Sequence, residues 1–160
     1  PVTQWGIRSA TPTDCEFYWH WANDQDVRQS AFDSEPISWE DHQEWFKKKL
    51  NDPSTTLFLV ESQLGPIGQV RFEKSERYFK IDFSIARQFR GMGLGKRLLS
   101  EGIESFLDNN HGSTLVSEVK EGNQASMKIF QNLGFREISH SSQLKKKTRR
   151  FQLQLSKITR

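Results

Sequence analysis

The sequence has little that would crosslink the chain or anchor it in a membrane. Cys15 is the one cysteine among 160 residues, so an internal disulfide is excluded, and we assign this thiol no role. No apolar run approaches the roughly 18 to 20 residues that cross a bilayer, and the N-terminus lacks the basic-then-apolar order of a signal peptide. We therefore expect a cytoplasmic protein with no membrane partner.

The composition is that of a soluble globular protein. Hydrophobic residues make up 34% of the chain, aromatic residues 12% and charged residues 27%, which excludes a disordered or fibrous class. Internal repeats and linker-like segments are missing. A chain of 160 residues fits the usual size of one domain, so we expect one domain over residues 1–160.

A basic segment near the C-terminus carries much of the net charge of +3. Its members are Lys145, Lys146, Lys147, Arg149 and Arg150. An exposed turn is one interpretation, and a site for a phosphate-bearing ligand or RNA is the other. Aromatic residues do not alternate with these charges as they do in single-strand-binding surfaces, so we do not expect a nucleic-acid partner.

The order of predicted elements indicates an α+β fold. Seven strands are predicted near residues 2–8, 56–60, 67–72, 79–86, 115–119, 135–138 and 150–155. Four helices are predicted near residues 17–21, 38–50, 93–107 and 123–133. The polar segment 23–36 is typical of a loop or broken helix that contacts substrate. Strand-helix-strand units occur only in the second half, which favours a mixed sheet.

A glycine-rich segment, Arg87 to Lys96, lies between a predicted strand and a predicted helix. Its glycines occupy alternate positions, at 91, 93 and 95. Glycine lets the backbone approach a ligand closely, and the N–H groups at a helix start favour a pyrophosphate. Arg90 and Lys96 could add positive charge. The alternative is a glycine-rich turn without a ligand, and the order of glycines matches neither a dinucleotide fingerprint nor a P-loop.

Two motifs in this order resemble those of GNAT acetyltransferases. Arg90 to Gly95 resembles the family's Arg/Gln-x-x-Gly-x-Gly/Ala motif, and Glu118 to Phe135 resembles its fifth strand, the following helix and a closing Gly-Phe pair. The resemblance implies a GNAT fold, with a mixed, mostly antiparallel sheet of about six or seven strands, flanked by about four helices and splayed between the fourth and fifth strands. It also implies one N-acetyltransferase domain over residues 1–160, with acetyl-CoA as co-substrate and no metal.

The same resemblance implies where acetyl-CoA binds. Its pyrophosphate would lie on the backbone amides from Gly91 to Lys96, and Ile85 and Ala86 would pair their backbone with the pantetheine arm. The complete set of implied cofactor-binding residues is Ile85, Ala86, Arg90, Gly91, Met92, Gly93, Leu94, Gly95, Lys96 and Asn123.

Acetyl transfer requires a neutral amine, so a base must remove a proton from the ammonium form. Glu118 is the first candidate for that catalytic base and Asp82 the second, while an ordinary exposed strand carboxylate is the alternative for Glu118. Many family members protonate the leaving thiolate with a tyrosine where this chain has Phe130. Tyr78 or Ser126 would then supply the proton, or the thiolate leaves unaided.

The N-terminal half indicates which amine accepts the acetyl group. Its spacing resembles enzymes that acetylate the 4-amino group of UDP-linked amino sugars, most nearly those of the pseudaminic acid pathway; the residues concerned are Trp21, Ala22, Asn23, Arg28, Phe32, Ile37, His42 and Trp45. The substrate-binding candidates are Arg28 for a diphosphate, His42 beside the sugar and Trp45 over a ring face. The alternative is a core aromatic stripe and a surface arginine.

Other acceptors and roles stay open. Ribosomal-protein N-terminal acetyltransferases of the family share an Asn-x-x-Ser pattern, which this chain has at Asn123 and Ser126, so a peptide α-amino group is the alternative acceptor. A non-catalytic CoA-binding module is a third interpretation, favoured by the missing tyrosine. A homodimer is among the expected partners, together with the small-molecule amine.

Overall fold

The computed structural model describes residues 2–138 and 147–154. Its seven strands are β1 (Trp5–Ser9), β2 (Thr55–Ser62), β3 (Gly65–Ser75), β4 (Tyr78–Ile85), β5 (Thr114–Lys120), β6 (Arg136–Ile138) and β7 (Thr148–Gln154). Its five helices are α1 (Cys15–Ala22), α2 (Gln25–Ser30), α3 (Trp39–Leu50), α4 (Leu94–Leu107) and α5 (Gln124–Asn132). Lys145, Lys146 and the last residue of the predicted seventh strand lie outside the described residues.

The strands form one sheet in the order β1-β2-β3-β4-β5-β7-β6. The pairing is antiparallel throughout except between β4 and β5, which run parallel. The strands β2, β3 and β4 form an antiparallel meander, as predicted. The sheet is therefore mixed and mostly antiparallel, and the predicted α+β GNAT fold class is confirmed.

The sheet opens between β4 and β5. These strands pair only at Phe79 with Leu115 and at Lys80 with Val116, and no further pairs follow along the two strands. The N–H of Ala86 donates to the carbonyl of Ile67 at 2.7 Å. Because bonding direction alternates along an antiparallel strand, the main-chain groups of Phe83 and Ile85 point away from β3 and into the gap. One edge of β4 thus faces the gap.

Helices cover both faces of the sheet. On one face, α4 and α5 pack on apolar side chains of the meander: Phe106 stacks on Phe72 with ring centroids 4.1 Å apart, and Phe130 meets Phe83 edge-on at 5.6 Å. On the other face, the Arg71 guanidinium lies over the ring of Trp45 in α3, at 5.1 Å. Phe72 of β3 and Phe83 of β4 therefore face α4 and α5, and Arg71 of β3 faces α3.

Helix α2 is the main departure from the sequence-based prediction of four helices and a loop or broken helix at residues 23–36. The Asp24 side chain accepts from the N–H groups of Asp26 and Val27, so an aspartate cap starts a helix of six residues. Such a short helix shows little apolar periodicity, which is why pattern alone missed it.

The helices of residues 2–138 and 147–154 include none with the length and apolar content that crossing a bilayer requires.

Candidate functional site

A cleft of about 950 Å³ opens between the helices of the N-terminal half and the gap between β4 and β5. It brings together both predicted catalytic residues, Glu118 and Asp82, with all three predicted substrate-binding residues, Arg28, His42 and Trp45. The predicted cofactor-binding residues that line it are Ile85, Arg90, Gly91, Gly93, Leu94, Gly95 and Asn123. The side chains of Ala86, Met92 and Lys96 are not part of its wall.

The glycine loop at one end of the cleft fits a pyrophosphate. Gly91 and Gly93 have φ angles of +75° and +73°, the left-handed region that side chains disfavour. A Cβ at either position would meet nothing within 4 Å, so this surface of the loop is open. Gly93 is the N-cap of α4 and provides no side-chain cap to the 14-residue helix. The first amides of α4 therefore suit an anion.

The end of β4 meets the expectation for pantetheine binding only in part. Ala86 is 2% exposed, its N–H donates to Ile67, and its carbonyl accepts from the N–H of Phe89 at 2.9 Å. The N–H of Ala86 is therefore used within the protein, and its carbonyl, which can accept a second hydrogen bond, is the group left for the expected pairing with a ligand. The carbonyl of Ile85 accepts from Arg90 Nε at 3.0 Å, and its N–H is directed into the gap. Phe83, which also lines the cleft, offers the neighbouring N–H.

Arg90 joins the glycine loop to helix α2. Its Nη1 lies 3.0 Å from Asp24 Oδ1 and 3.2 Å from Asp26 Oδ2, and Arg87 Nε donates to Asp24 Oδ2 at 3.0 Å. Burial raises the pKa of Asp24, but the hydrogen bonds from Arg90 and Arg87 outweigh it and hold that pKa below its ordinary value. The arginine of the motif is thus committed to a salt-bridge network that connects the two sides of the cleft.

Glu118 is the more enclosed of the two candidate bases. Its side chain is 20% exposed, and Oε2 lies 3.4 Å from Lys80 Nζ, just beyond the last pair between β4 and β5. Asp82 is 56% exposed and lies 3.5 Å from Arg71 Nη2. Both carboxylates face the cleft, and Glu118 lies at the point where the strands separate.

The structure separates the two hydroxyls considered as proton donors for the thiolate. Ser126, in the first turn of α5, lines the cleft. Tyr78 does not, and its ring lies 4.9 Å from the guanidinium of Arg150. Phe130 is 2% exposed and packs against Phe83 and the ring of Phe135, at 5.0 Å from the latter. Of the two hydroxyl residues, only Ser126 lines the cleft and remains a candidate proton donor.

Arg28 holds a loop together. Its Nε donates to the carbonyl of Ala22 at 2.6 Å, and its Nη1 donates to the carbonyls of Asp33 and Glu35 at 3.1 and 3.2 Å. These three bonds pin the segment after α2 to the end of α1. Because Nε and Nη1 already donate to backbone carbonyls, the expected binding of a diphosphate by Arg28 stays a prediction that depends on Nη2.

Asn23 and Ile37 complete the attachment of the same loop. The Asn23 amide donates to the Ile37 carbonyl and accepts from the Ile37 N–H, at 2.9 and 2.8 Å. Trp19 Nε1 donates to the same carbonyl at 2.9 Å. Part of the spacing noted in the N-terminal half is thus explained by how this loop is held over the cleft.

His42 is buried in the wall of the cleft, 2% exposed. Its Nε2 lies 2.8 Å from the carbonyl oxygen of Cys15, and because a carbonyl only accepts, Nε2 carries the proton. Burial lowers the pKa of His42, against the opposing effect of that hydrogen bond. A neutral imidazole with Nε2 protonated leaves Nδ1 as an acceptor.

Gln69 is a cleft residue that the sequence analysis missed. It lies on β3 and is 5% exposed; its Nε2 lies 3.1 Å from Ser84 Oγ and 3.5 Å from Asp82 Oδ2. Its Oε1 is buried and has no hydrogen-bond partner. The available signal was the alternation of Gln69, Arg71 and Glu73 with the apolar residues Val70 and Phe72, which are buried in the structure. That pattern places three polar side chains on one face.

The sequence profile described as acetyltransferase (GNAT) domain matches residues 5–136. The chain belongs to this family. It is therefore an N-acetyltransferase with acetyl-CoA as its co-substrate, and the GNAT profile covers both the glycine loop and Glu118. Within residues 2–138 and 147–154, no group of three or more His, Cys, Asp or Glu side chains could hold a metal ion.

Solved structures agree with the GNAT fold. One similar structure is spermidine N-acetyltransferase from Vibrio cholerae, in complex with CoA and spermine, which is 21% identical in sequence and superposes with a TM-score of 0.81. The match covers 96% of this chain and 97% of that chain. A domain from Methanocaldococcus jannaschii is 18% identical, with a TM-score of 0.81, 95% of this chain covered and 99% of that one. No curated protein sequence matches this GNAT chain significantly.

Proposed function

We propose that this GNAT enzyme transfers the acetyl group to a primary amine on a nucleotide-linked amino sugar, the 4-amino group of a UDP-linked sugar. The observation that carries the proposal is the pairing of aromatic faces with cations on the acceptor side of the cleft. Trp45 lies 5.1 Å from the Arg71 guanidinium, and Phe32 lies 6.0 Å from Lys120 Nζ. Rings and phosphates occur together in a nucleotide sugar, and this lining suits both.

The charge of the cleft gives a polyamine no advantage over a sugar nucleotide. A polyamine carries several positive charges and would be favoured by carboxylates without cationic partners. Here Glu73 contacts Lys49 and Arg71, at 3.0 and 3.4 Å. Asp82 and Glu118 also lie beside cations, as described above. The charges of these three carboxylates are therefore largely balanced within the protein.

A polyamine is the second candidate acceptor, because several similar structures are spermidine N-acetyltransferases. One of them, also from Vibrio cholerae, is described as a dodecamer, is 19% identical and has a TM-score of 0.75, with 95% of this chain and 94% of that one covered. Identity at this level reflects the shared fold. Asp41, exposed at the rim of the cleft, is the carboxylate best placed to attract such a polycation. A peptide α-amino group is the third candidate.

The cofactor end of the cleft has the features that acetyl-CoA needs. The open glycine loop and the uncapped start of α4 would hold the pyrophosphate, and the N–H groups of Phe83 and Ile85 would bind along the gap. When bound there, acetyl-CoA supplies a thioester whose carbonyl carbon accepts the amine. The residues of this chain then determine where the amine lies and where its protons go.

Glu118 is the proposed catalytic base. It removes a proton from the ammonium form, directly or through one water, and the freed lone pair forms the C–N bond as the C–S bond breaks. The nitrogen must then lose a second proton: this proton passes to the leaving thiolate through the Ser126 hydroxyl, or to solvent when the thiolate leaves unprotonated, since a thiol pKa near 8.5 makes it a stable leaving group. Asp82 is the second candidate for the base, and it is the more exposed of the two.

Ranking three acceptors tests the proposal. Purified protein and acetyl-CoA are mixed with a UDP-4-amino-4,6-dideoxy sugar, spermidine or an N-terminal ribosomal peptide, and thiol release is followed over time. We expect kcat/KM to be at least tenfold higher for the sugar nucleotide than for the other two. A higher kcat/KM for spermidine or the peptide would replace the sugar proposal while keeping the GNAT activity.

A further inference from the structure

Five lysine and arginine residues line the cleft, and two of them have no carboxylate partner among the described residues. Arg71, Lys80 and Arg90 each lie within 3.5 Å of a carboxylate oxygen. Arg28 and Lys120 are half-buried in the same wall and form no ion pair with a carboxylate of residues 2–138 and 147–154. A half-buried cation without a countercharge favours an anionic ligand beside it.

Lys120 reaches from the end of β5 to the segment that includes the end of α2. Its Nζ lies 3.4 Å from the carbonyl oxygen of Gln29 and 6.0 Å from the centre of the Phe32 ring. An ammonium group has three N–H donors, so two remain beside the long bond to Gln29. That bond is exposed, so a ligand in the cleft can reach the ammonium group.

Arg28 borders the same segment from α2. Its Nη1 donates to the carbonyls of Asp33 and Glu35, and both of these bonds are exposed. Its Nη2 makes no hydrogen bond within the described part of the chain, so two further N–H groups are available. Arg28 and Lys120 therefore present unused donors and two positive charges beside residues 29–35, a combination that suits a group with several anionic oxygens.

The position of Lys120 on β5 relates this charge to the proposed catalytic base. Lys120 follows Glu118 by two residues, so both side chains project from the same face of the strand, about 6 to 7 Å apart along it. Val119, between them, is buried on the opposite face. An amine beside Glu118 therefore belongs to a molecule whose next part meets Lys120. In a pyranose, a phosphate on the anomeric carbon lies across the ring from a 4-amino group, at a comparable distance.

We propose that Lys120 determines acceptor specificity by binding, together with Arg28 Nη2, a phosphate group of the molecule that carries the amine. The acceptor is then a phosphorylated amine whose anionic group lies beyond Glu118, towards α2. This phosphate subsite rests on the proposed acetyl transfer within the cleft, and a nucleotide-linked amino sugar is one molecule that satisfies it. Spermidine, which has no anionic group, does not.

Binding of inorganic pyrophosphate tests the subsite without reference to any acceptor. The protein is first saturated with CoA, which occupies the glycine loop, and is then titrated with pyrophosphate while the phosphorus NMR signal is followed. Lys120→Met keeps the length of the side chain and removes its charge, so we expect the affinity for pyrophosphate to fall about tenfold. Lys120→Arg keeps the charge and should recover most of this affinity. Lys128→Met, exposed on α5 and outside the cleft, is the matched control and should bind as wild type.

Kinetics with the UDP-4-amino-4,6-dideoxy sugar separates the subsite from the proposed function. In Lys120→Met we expect the KM for the sugar nucleotide to rise about tenfold, with kcat within threefold and the KM for acetyl-CoA within twofold of wild type. A CoA-saturated protein that binds no pyrophosphate, or binds it equally in wild type and Lys120→Met, would overturn the subsite. A parallel rise of both KM values would also overturn it, because Lys120 would then act on the cofactor. Pyrophosphate bound through Lys120 without acetylation of the sugar would refute the proposed acceptor and support the subsite for another phosphorylated amine.

Discussion

Lys80 Nζ and Glu118 Oε2 lie 3.4 Å apart across the point where β4 and β5 stop pairing. Lys80 belongs to the last pair of the parallel ladder, and Glu118 follows Val116, its partner, by two residues. Alternation along the strands puts Val116 and Glu118 on the same face as Lys80. The contact therefore fixes the carboxylate at the closed end of the gap, where an amine can approach from the acceptor side.

Replacing Glu118 by Gln should lower kcat about one hundredfold or more, because the amide has a similar shape but cannot take a proton. Calorimetric affinity for acetyl-CoA should stay within threefold, since Glu118 is not part of the glycine loop. Glu121→Gln, at an exposed position just after β5, is the control for the loss of one charge. Turnover of Glu118→Gln within threefold of wild type would remove Glu118 from the role of base.

Replacing Gly93 by Val should abolish most affinity for acetyl-CoA. Gly93 has φ +73° at the start of α4, so a branched side chain both strains this backbone and covers the surface offered to the pyrophosphate. Gly112 has φ +76° in the loop before β5, away from the cleft. Gly112→Val therefore introduces the same kind of strain as a matched control.

Calorimetry of both glycine variants measures the expected difference. We expect CoA affinity to fall at least tenfold for Gly93→Val and to stay within twofold for Gly112→Val, with circular dichroism showing a folded protein in each case. Equal affinities for the two folded variants would contradict the assignment of the glycine loop as the pyrophosphate site.

Replacing Gly68 by Ala should destabilise the fold by about 3 kcal/mol, because the new Cβ cannot be accommodated. It would lie 2.2 Å from the Ser84 carbonyl oxygen, a backbone atom that cannot move without disturbing the pairing of β3 and β4. Gly6→Ala meets nothing within 4 Å and should change stability by less than about 0.5 kcal/mol. Urea unfolding of the two variants measures both changes in the free energy of unfolding. Equal urea midpoints for the two variants would show that the backbones of β3 and β4 leave room for a methyl group at position 68.

His42 should make stability fall as the pH is lowered. Its folded pKa lies below that of an unfolded histidine, near 6.5, so the unfolded chain binds a proton first. Stability is therefore full above about pH 6.5 and is lost as the pH falls towards the folded pKa. Between pH 7.5 and 5.5 most carboxylates stay ionised, so they add little to the slope.

The histidine variants separate this effect from the rest of the protein. His42→Gln should flatten the dependence of the unfolding free energy on pH over this range, whatever its effect on the absolute stability. His111→Gln, at an exposed position, is the matched control for the replacement of one histidine. A slope unchanged in His42→Gln would mean that His42 is not kept neutral by the fold.

The sequence predicted the strands, helices and turns that a local pattern of residue types indicates. Runs of β-branched and aromatic residues located β2 and β3, alternation of polar and apolar residues located β4, and the glycines at 91, 93 and 95 located the turn into α4. Helix α2 was missed because its start depends on one Asp24 side chain and its length is six residues. Short capped helices carry too few apolar residues to show a period.

The acceptor side of the cleft was harder to predict, because its polar residues form hydrogen bonds with the backbone and with each other. Arg28 has the chemistry of an anion ligand in sequence, yet three backbone carbonyls take its donors. Gln69 has no local motif, and its place in the cleft depends on Asp82 and Ser84 across β4. Sequence reveals residue types, whereas the competition for their hydrogen bonds is set by the fold.

The most direct test of the whole account is to follow an isotopically labelled acetyl group from acetyl-CoA. The wild-type protein is incubated with labelled acetyl-CoA and a UDP-4-amino-4,6-dideoxy sugar, and the products are resolved by mass spectrometry and NMR. The account predicts the label on the 4-amino nitrogen of the sugar, with the yield lost in Gly93→Val and retained in Gly112→Val. Labelled acetyl-CoA that stays intact beside the sugar but is consumed with spermidine or a peptide would contradict the proposed acceptor.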